Sequence, residues 1–118
     1  MNPLDYSLCN QTVTFYRKTG EEIIRQVAEN CHLSCKYRET TESHGKSMEK
    51  KFLLIIPAGS FVPQPGDRIY DGIGPGEVDW QQFIPALVPE VYEISFVMPC
   101  CWDGRTVHWE AGHKKEAL

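Results

Sequence analysis

The sequence predicts a single, mainly β domain: a small antiparallel β-barrel or sandwich of five to seven strands with long loops. Three observations carry this. Short stretches alternate apolar and polar side chains, Gly- and Pro-rich turns recur between them, and no long segment holds an apolar stripe at helical spacing. With 118 residues, 42% hydrophobic and 24% charged, the chain is large enough to bury a core and too small for two domains.

The first strand is expected over Cys9 to Lys18, with Val13 and Phe15 on one side and Thr12, Thr14 and Tyr16 on the other. Glu22 to Val27 admits a helical turn, although Ile23, Ile24 and Val27 are β-branched, and a strand is expected across Cys31 to Arg38. Thr40 to Lys51 is polar, contains Gly45 and lacks periodicity, so a flexible loop is expected at about 40–51. Phe52 to Ile56 is the most apolar strand and stops at Pro57. After a Pro- and Gly-rich connection, Pro65-Gly66-Asp67-Arg68 makes a turn into a short strand at Ile69 and Tyr70.

Asp71 to Pro89 holds Gly72, Gly74, Pro75, Gly76, Pro85 and Pro89. It reads as a long excursion with room for one helical turn in Val78 to Leu87, and such excursions are the first place to look for a partner site. Glu90 to Met98 alternates as one strand, and Thr106 to Gly112 as another with Val107, Trp109 and Ala111 inward. Asp103-Gly104 between them is a two-residue hairpin turn. A polar tail follows over 113–118.

Charge and cysteine usage narrow the function. The net charge is −4, whereas a nucleic-acid binder needs clustered Lys and Arg. Pro63 to Glu93 carries six acidic residues against Arg68 alone, a balance of −5, which leaves +1 for the remainder. No apolar run reaches the roughly 18 residues of a membrane span, and no secretory signal is recognisable, so residence in the cytoplasm is expected. Five cysteines, an odd number without a signal, are expected to be free thiols.

Chemistry-bearing constellations are weak. Cys31 and Cys35 on one strand face would stand about 13 Å apart, too far to share an ion, and Cys100 and Cys101 would point to opposite faces if extended. His32, His44, His108 and His113 come with no nucleophile motif, and His108 with Glu110 on the last strand reads as a solvated pair or partner contact. Gly72, Gly74 and Gly76 lack the Lys-Ser or Lys-Thr of a phosphate loop. No metal, cofactor or catalytic role is therefore expected. Trp109 is assigned to the core, and Phe61, Trp80, Phe83 and Trp102 are the candidate partner or ring contacts.

The order of features resembles the small head-completion proteins, stoppers or adaptors of the connector, of long-tailed phages and PBSX-like prophages. It rests on the opening strand with Val13, Thr14 and Phe15, the polar loop before Phe52 to Pro57, Pro65-Gly66-Asp67-Arg68-Ile69, Tyr92 to Met98, and the closing Val107-His108-Trp109-Glu110-Ala111. The Asp71 to Pro89 excursion and the Cys100-Cys101-Trp102 turn depart from that pattern. The resemblance implies a β-barrel protomer in a homo-oligomeric ring that contacts portal or adaptor and tail proteins, made in the bacterial cytoplasm and carried in the virion. DNA would pass through without specific binding, with Asp71, Glu77 and Asp79 as candidate channel-facing residues. The alternatives are a monomeric β-barrel binding module for a peptide or small ligand, or another minor capsid or tail-end protein.

Overall fold

The computed structural model of the protein describes residues 9–42, 45–59 and 61–113, with the backbone alone for 36–50. Among these residues there are seven strands and no helix: β1 (Gln11–Thr19), β2 (Glu22–Glu42), β3 (Gly45–Pro57), β4 (Arg68–Asp71), β5 (Val91–Glu93), β6 (Phe96–Trp102) and β7 (Arg105–Gly112). Every pairing is antiparallel, in the order β5-β4-β1-β2-β3-β7-β6. The expected mainly β class is the class the chain adopts, as one curled sheet forming a half-barrel.

Two changes of partner produce the curl. β2 pairs with β1 through Cys31 and with β3 from His32 onward. At that changeover the register against β1 shifts, and Asn30 adopts φ 60°, a left-handed conformation that Asn tolerates better than most residues. The second change falls between β5 and β6. Ile94 still belongs to the β4 side, donating to the Asp67 carbonyl at 2.9 Å, whereas Ser95 donates to Gly112 of β7 at 2.7 Å.

Those two residues join opposite edges of the sheet. In a flat sheet of this order the edges would stand about 29 Å apart, six interstrand spacings, while the three peptide steps from Glu93 to Phe96 reach about 11 Å. Rolling the sheet is the only way to close that gap. The single strand expected over Glu90 to Met98 is therefore corrected to two strands on different neighbours. Side-chain alternation could not reveal the switch, because both halves are extended.

Further corrections concern β2 and β3. The loop expected at 40–51 is instead strand wherever it is described, since β2 runs to Glu42 and β3 starts at Gly45. The helical turn considered for Glu22 to Val27 is also strand, in register with β1. From Cys35↔Phe52 outward to Glu42↔Gly45 the two strands pair only with each other among the described residues. They continue past the sheet as a two-stranded ribbon about 25 Å long. The radius of gyration, 15.1 Å, accordingly exceeds the roughly 13.5 Å of a compact domain of this length.

The concave side holds the main core, with Val13, Phe15, Leu33, Leu54, Ile56 and Ile69 all buried. β1 is buried on its other face as well, at Thr14 and Tyr16, because residues 72–89 lie across it as a strap. Tyr16 packs edge-on against Phe83 at 4.6 Å and donates to the Pro75 carbonyl at 2.6 Å. Thr14 donates to the Gly72 carbonyl and accepts from the Gly74 amide. Arg25 donates to the carbonyls of Gly74 and Pro75, and Arg68 to those of Trp80 and Phe83. The strap holds two single turns closed by hydrogen bonds four residues apart, Asp79–Phe83 and Ile84–Val88, so a helical turn does form within Val78 to Leu87, although no continuous helix does.

One buried ion pair locks the start of β4 to β1. Asp67 is 1% exposed and takes two hydrogen bonds of 2.8 Å from the Arg17 guanidinium, plus the Gln64 amide. Asp67→Asn should destabilise the fold by about 2–3 kcal/mol, below the usual cost of breaking a fully buried pair because Arg17 keeps some solvent contact. At the seam, a Cβ on Gly112 would sit 2.7 Å from the Phe52 carbonyl oxygen and 2.6 Å from the Phe96 ring. Gly112→Ala should therefore cost about 1–3 kcal/mol. Urea unfolding checks both, and a midpoint unchanged from wild type would contradict either assignment.

Candidate functional site

The aromatic residues expected at a partner surface separate by burial. Phe83 is core, packed with Tyr16 and Val91, which corrects its assignment as a contact. Phe61 is half-buried against Phe15, with the Arg17 guanidinium 4.7 Å above its ring. Trp80 is likewise half-buried and carries Arg68 at 3.8 Å from its ring centre. Both rings thus support cations that bind the fold together. Trp102 alone of the four stands largely in solvent, 51% exposed beside the hairpin turn.

On the strap, Asp71, Glu77 and Asp79 are exposed, as is Glu90. The −5 balance read from sequence is reduced in the fold, because Asp67 is paired with Arg17, and Arg25 is drawn onto strap carbonyls. Glu93 and Arg68 pair with each other at 3.4 Å. The same surface also exposes Ile73 and Leu87, two apolar residues that aromatic-centred reasoning passed over. Two solvent-open depressions flank the body. One, of about 500 Å³, is bounded by Gln26, Glu29, Asn30 and Phe61, and the other, of about 480 Å³, by Lys18, Gln64 and Trp80. Neither gathers the converging polar groups over an apolar floor that a small-molecule site uses.

The densest chemistry lies on the β6–β7 hairpin. Asp103 and Gly104 both have positive φ, 53° and 75°, as a two-residue turn of this hand requires. An uninterrupted hairpin from that turn would set Cys100 opposite Val107. A bulge between Cys100 and Cys101 shifts the register instead, so that Cys101 faces Thr106 and Cys100 faces His108. Val107 is the extra residue, so Thr106 and His108 no longer alternate as neighbours two apart, and each cysteine meets its own partner on β7. Cys101 Sγ lies 3.8 Å from Thr106 Oγ1, and Cys100 Sγ lies 3.0 Å from Glu110 Oε2.

His108 completes the group, with Nε2 3.2 Å from the same Glu110 oxygen. It is buried, not the solvated residue expected, although Glu110 remains partly open. Burial, reinforced by the Glu110 carboxylate, pushes the Cys100 thiol up to about 11. The thiol hydrogen bond and the imidazole hold Glu110 below the usual carboxylate range, against the effect of burial. Elsewhere, His32 has a buried Nδ1 without a hydrogen-bond partner, His113 is half-buried, and His44 lies outside the described residues. None of the five cysteines forms a disulfide; Cys35 and Cys101 are exposed and Cys31 is fully buried.

No protein-family model matches the chain, and no curated protein or solved structure matches it.

Thiol burial sets two expected outcomes. With a thiol-reactive dye at neutral pH, Cys35 and Cys101 should label in the fast phase and Cys31 only after denaturation, which Cys→Ser variants at each position would resolve. Burial first, then Cys9, raises the Cys31 thiol from 9.0 to about 12. The unfolded chain therefore loses this proton first as pH rises. The stability contributed by the group is whole below pH 9 and drains away between about 9 and 12. Melting temperature should fall more steeply over that window for wild type than for Cys31→Ala; parallel curves would show that the thiol is not responsible.

Proposed function

We propose that this chain is a structural virion protein of a long-tailed phage or related prophage, a stopper-like ring component of the head-to-tail connector. The observation that carries the reading is the pair of strands extending past the sheet from Cys35↔Phe52 to Glu42↔Gly45. A two-stranded ribbon has marginal stability alone and becomes useful when a neighbouring subunit completes it. The half-barrel body, the exposed Trp102 and the resemblance in the order of sequence motifs support the same reading. In the ring, the strap bearing Asp71, Glu77 and Asp79 faces the DNA passage or its rim. Like charge repeated around an axis keeps a polyanion sliding instead of sticking.

Among the described residues, the two depressions are open and largely polar and so lend no support to a monomeric ligand-binding module. Portal or adaptor and tail proteins are the partners it requires. In particles from the encoding strain, the chain should be recovered in multiple copies per virion, and its deletion should leave heads that package DNA but carry no tails. Its absence from purified particles, or normal tailed particles after deletion, would overturn the proposal. Asp71→Asn with Glu77→Gln and Asp79→Asn should leave assembly intact while impairing retention or ejection of DNA. Normal ejection, or the strap imaged on the outside of the ring, would remove the lumen placement.

A further inference from the structure

A sulfur, a nitrogen and a carboxylate oxygen converge on the β6–β7 hairpin, within 4.8 Å of one another, from Cys100, His108 and Glu110. We propose that these three side chains bind one zinc ion per chain, with water in the fourth position. The inference stands apart from the connector reading, since it rests on hairpin geometry alone.

The fit is geometric and electrostatic. Tetrahedral zinc, with sulfur at about 2.3 Å and nitrogen or oxygen at about 2.0–2.1 Å, holds its ligand atoms roughly 3.3–3.6 Å apart. The separations of 3.0 Å for Cys100–Glu110 and 3.2 Å for His108–Glu110 need small outward shifts, and the Cys100–His108 pair, within 4.8 Å, must close by about an ångström through side-chain rotation. All three donors sit on adjacent antiparallel strands fixed by a tight turn, so the backbone is already arranged. A thiolate and a carboxylate together neutralise the dication, which suits a partly buried site. The mixed S, N and O donor set selects zinc over magnesium or calcium, whose sites are built from oxygen. Binding exchanges the Cys100 thiol proton, now directed at Glu110, for the metal: the S–H bond breaks, an S–Zn bond forms, and the proton leaves to solvent.

The bulge that turns Cys100 onto the face of His108 is the feature that builds this site. Without it, alternation from the turn would leave Cys100 facing away from His108 and Glu110. Bulges are a common device for re-aiming one side chain at a functional position.

Cobalt(II) titration of the reduced full-length chain tests the proposal, because cobalt occupies tetrahedral zinc sites and reports thiolate ligation through a near-ultraviolet charge-transfer band. The band should saturate at one cobalt per chain and disappear on adding one equivalent of zinc. Cys100→Ser should abolish it, whereas Cys101→Ser should retain it. Glu110→Gln and His108→Gln should each weaken affinity at least tenfold, with circular dichroism of the metal-free variants checking that the fold survives. Glu110 is partly exposed, so its variant keeps the test open if a cysteine or histidine variant misfolds. No band in the wild type, a band that survives Cys100→Ser or is lost in Cys101→Ser, saturation at half an ion per chain, or unchanged affinity in Glu110→Gln would each overturn it.

Discussion

The two-residue link Ile94–Ser95 is the constraint on which the architecture depends. It joins the terminal strands of the sheet, so the chain cannot be both flat and connected. Once the edges are drawn together, the apolar faces of β1, β3 and β4 converge on one interior, and Val13, Phe15, Leu54, Ile56 and Ile69 bury each other. The second corner, at Asn30, absorbs the remaining turn by changing the partner of β2. Gly112 sits where β3, β6 and β7 meet, and its lack of a side chain lets the Phe52 carbonyl and the Phe96 ring approach the same backbone.

Curling creates a convex side that needs cover, and the strap supplies it. A strand with Thr14 and Tyr16 turned away from the core would normally present them to water. Here residues 72–89 bury both, and the polar atoms of those side chains satisfy strap backbone groups that have no ladder of their own. Arg25 and Arg68 do the same from β2 and β4. The excursion is thus held by hydrogen bonds to carbonyls, with Phe83 as its apolar anchor. This explains why a segment so rich in Gly and Pro keeps a defined path without regular secondary structure.

Much of this was legible in the sequence, and the failures have physical causes. The β class, the Asp103-Gly104 hairpin and the inward pair Val13 and Phe15 of β1 follow from alternation and turn chemistry, which are local. The split of Glu90 to Met98 and the strand character of 40–42 and 45–51 depend on which neighbour accepts the hydrogen bonds, a non-local choice that alternation does not encode. Burial of Phe83 was hidden for the same reason, since a Gly- and Pro-rich context gives no period from which to infer a face. The Cys100, His108 and Glu110 cluster forms across the hairpin, so spacing along the chain does not reveal it. Even an ideal register from the turn would have chosen the wrong cysteine, as only the bulge turns Cys100 toward His108.

The open edges of the half-barrel differ in what they offer a neighbour. β6 lies at one edge, but Pro99 brings no N–H to it, so a strand laid alongside would lose part of its ladder there. β5, at the other edge, has only three residues. The ribbon of β2 and β3 past Phe52 contains no proline and keeps an unbroken register to Glu42↔Gly45. Pairing with an added strand would therefore be blunted on the body and unobstructed on the ribbon, the element whose own pairing is least sufficient to hold it.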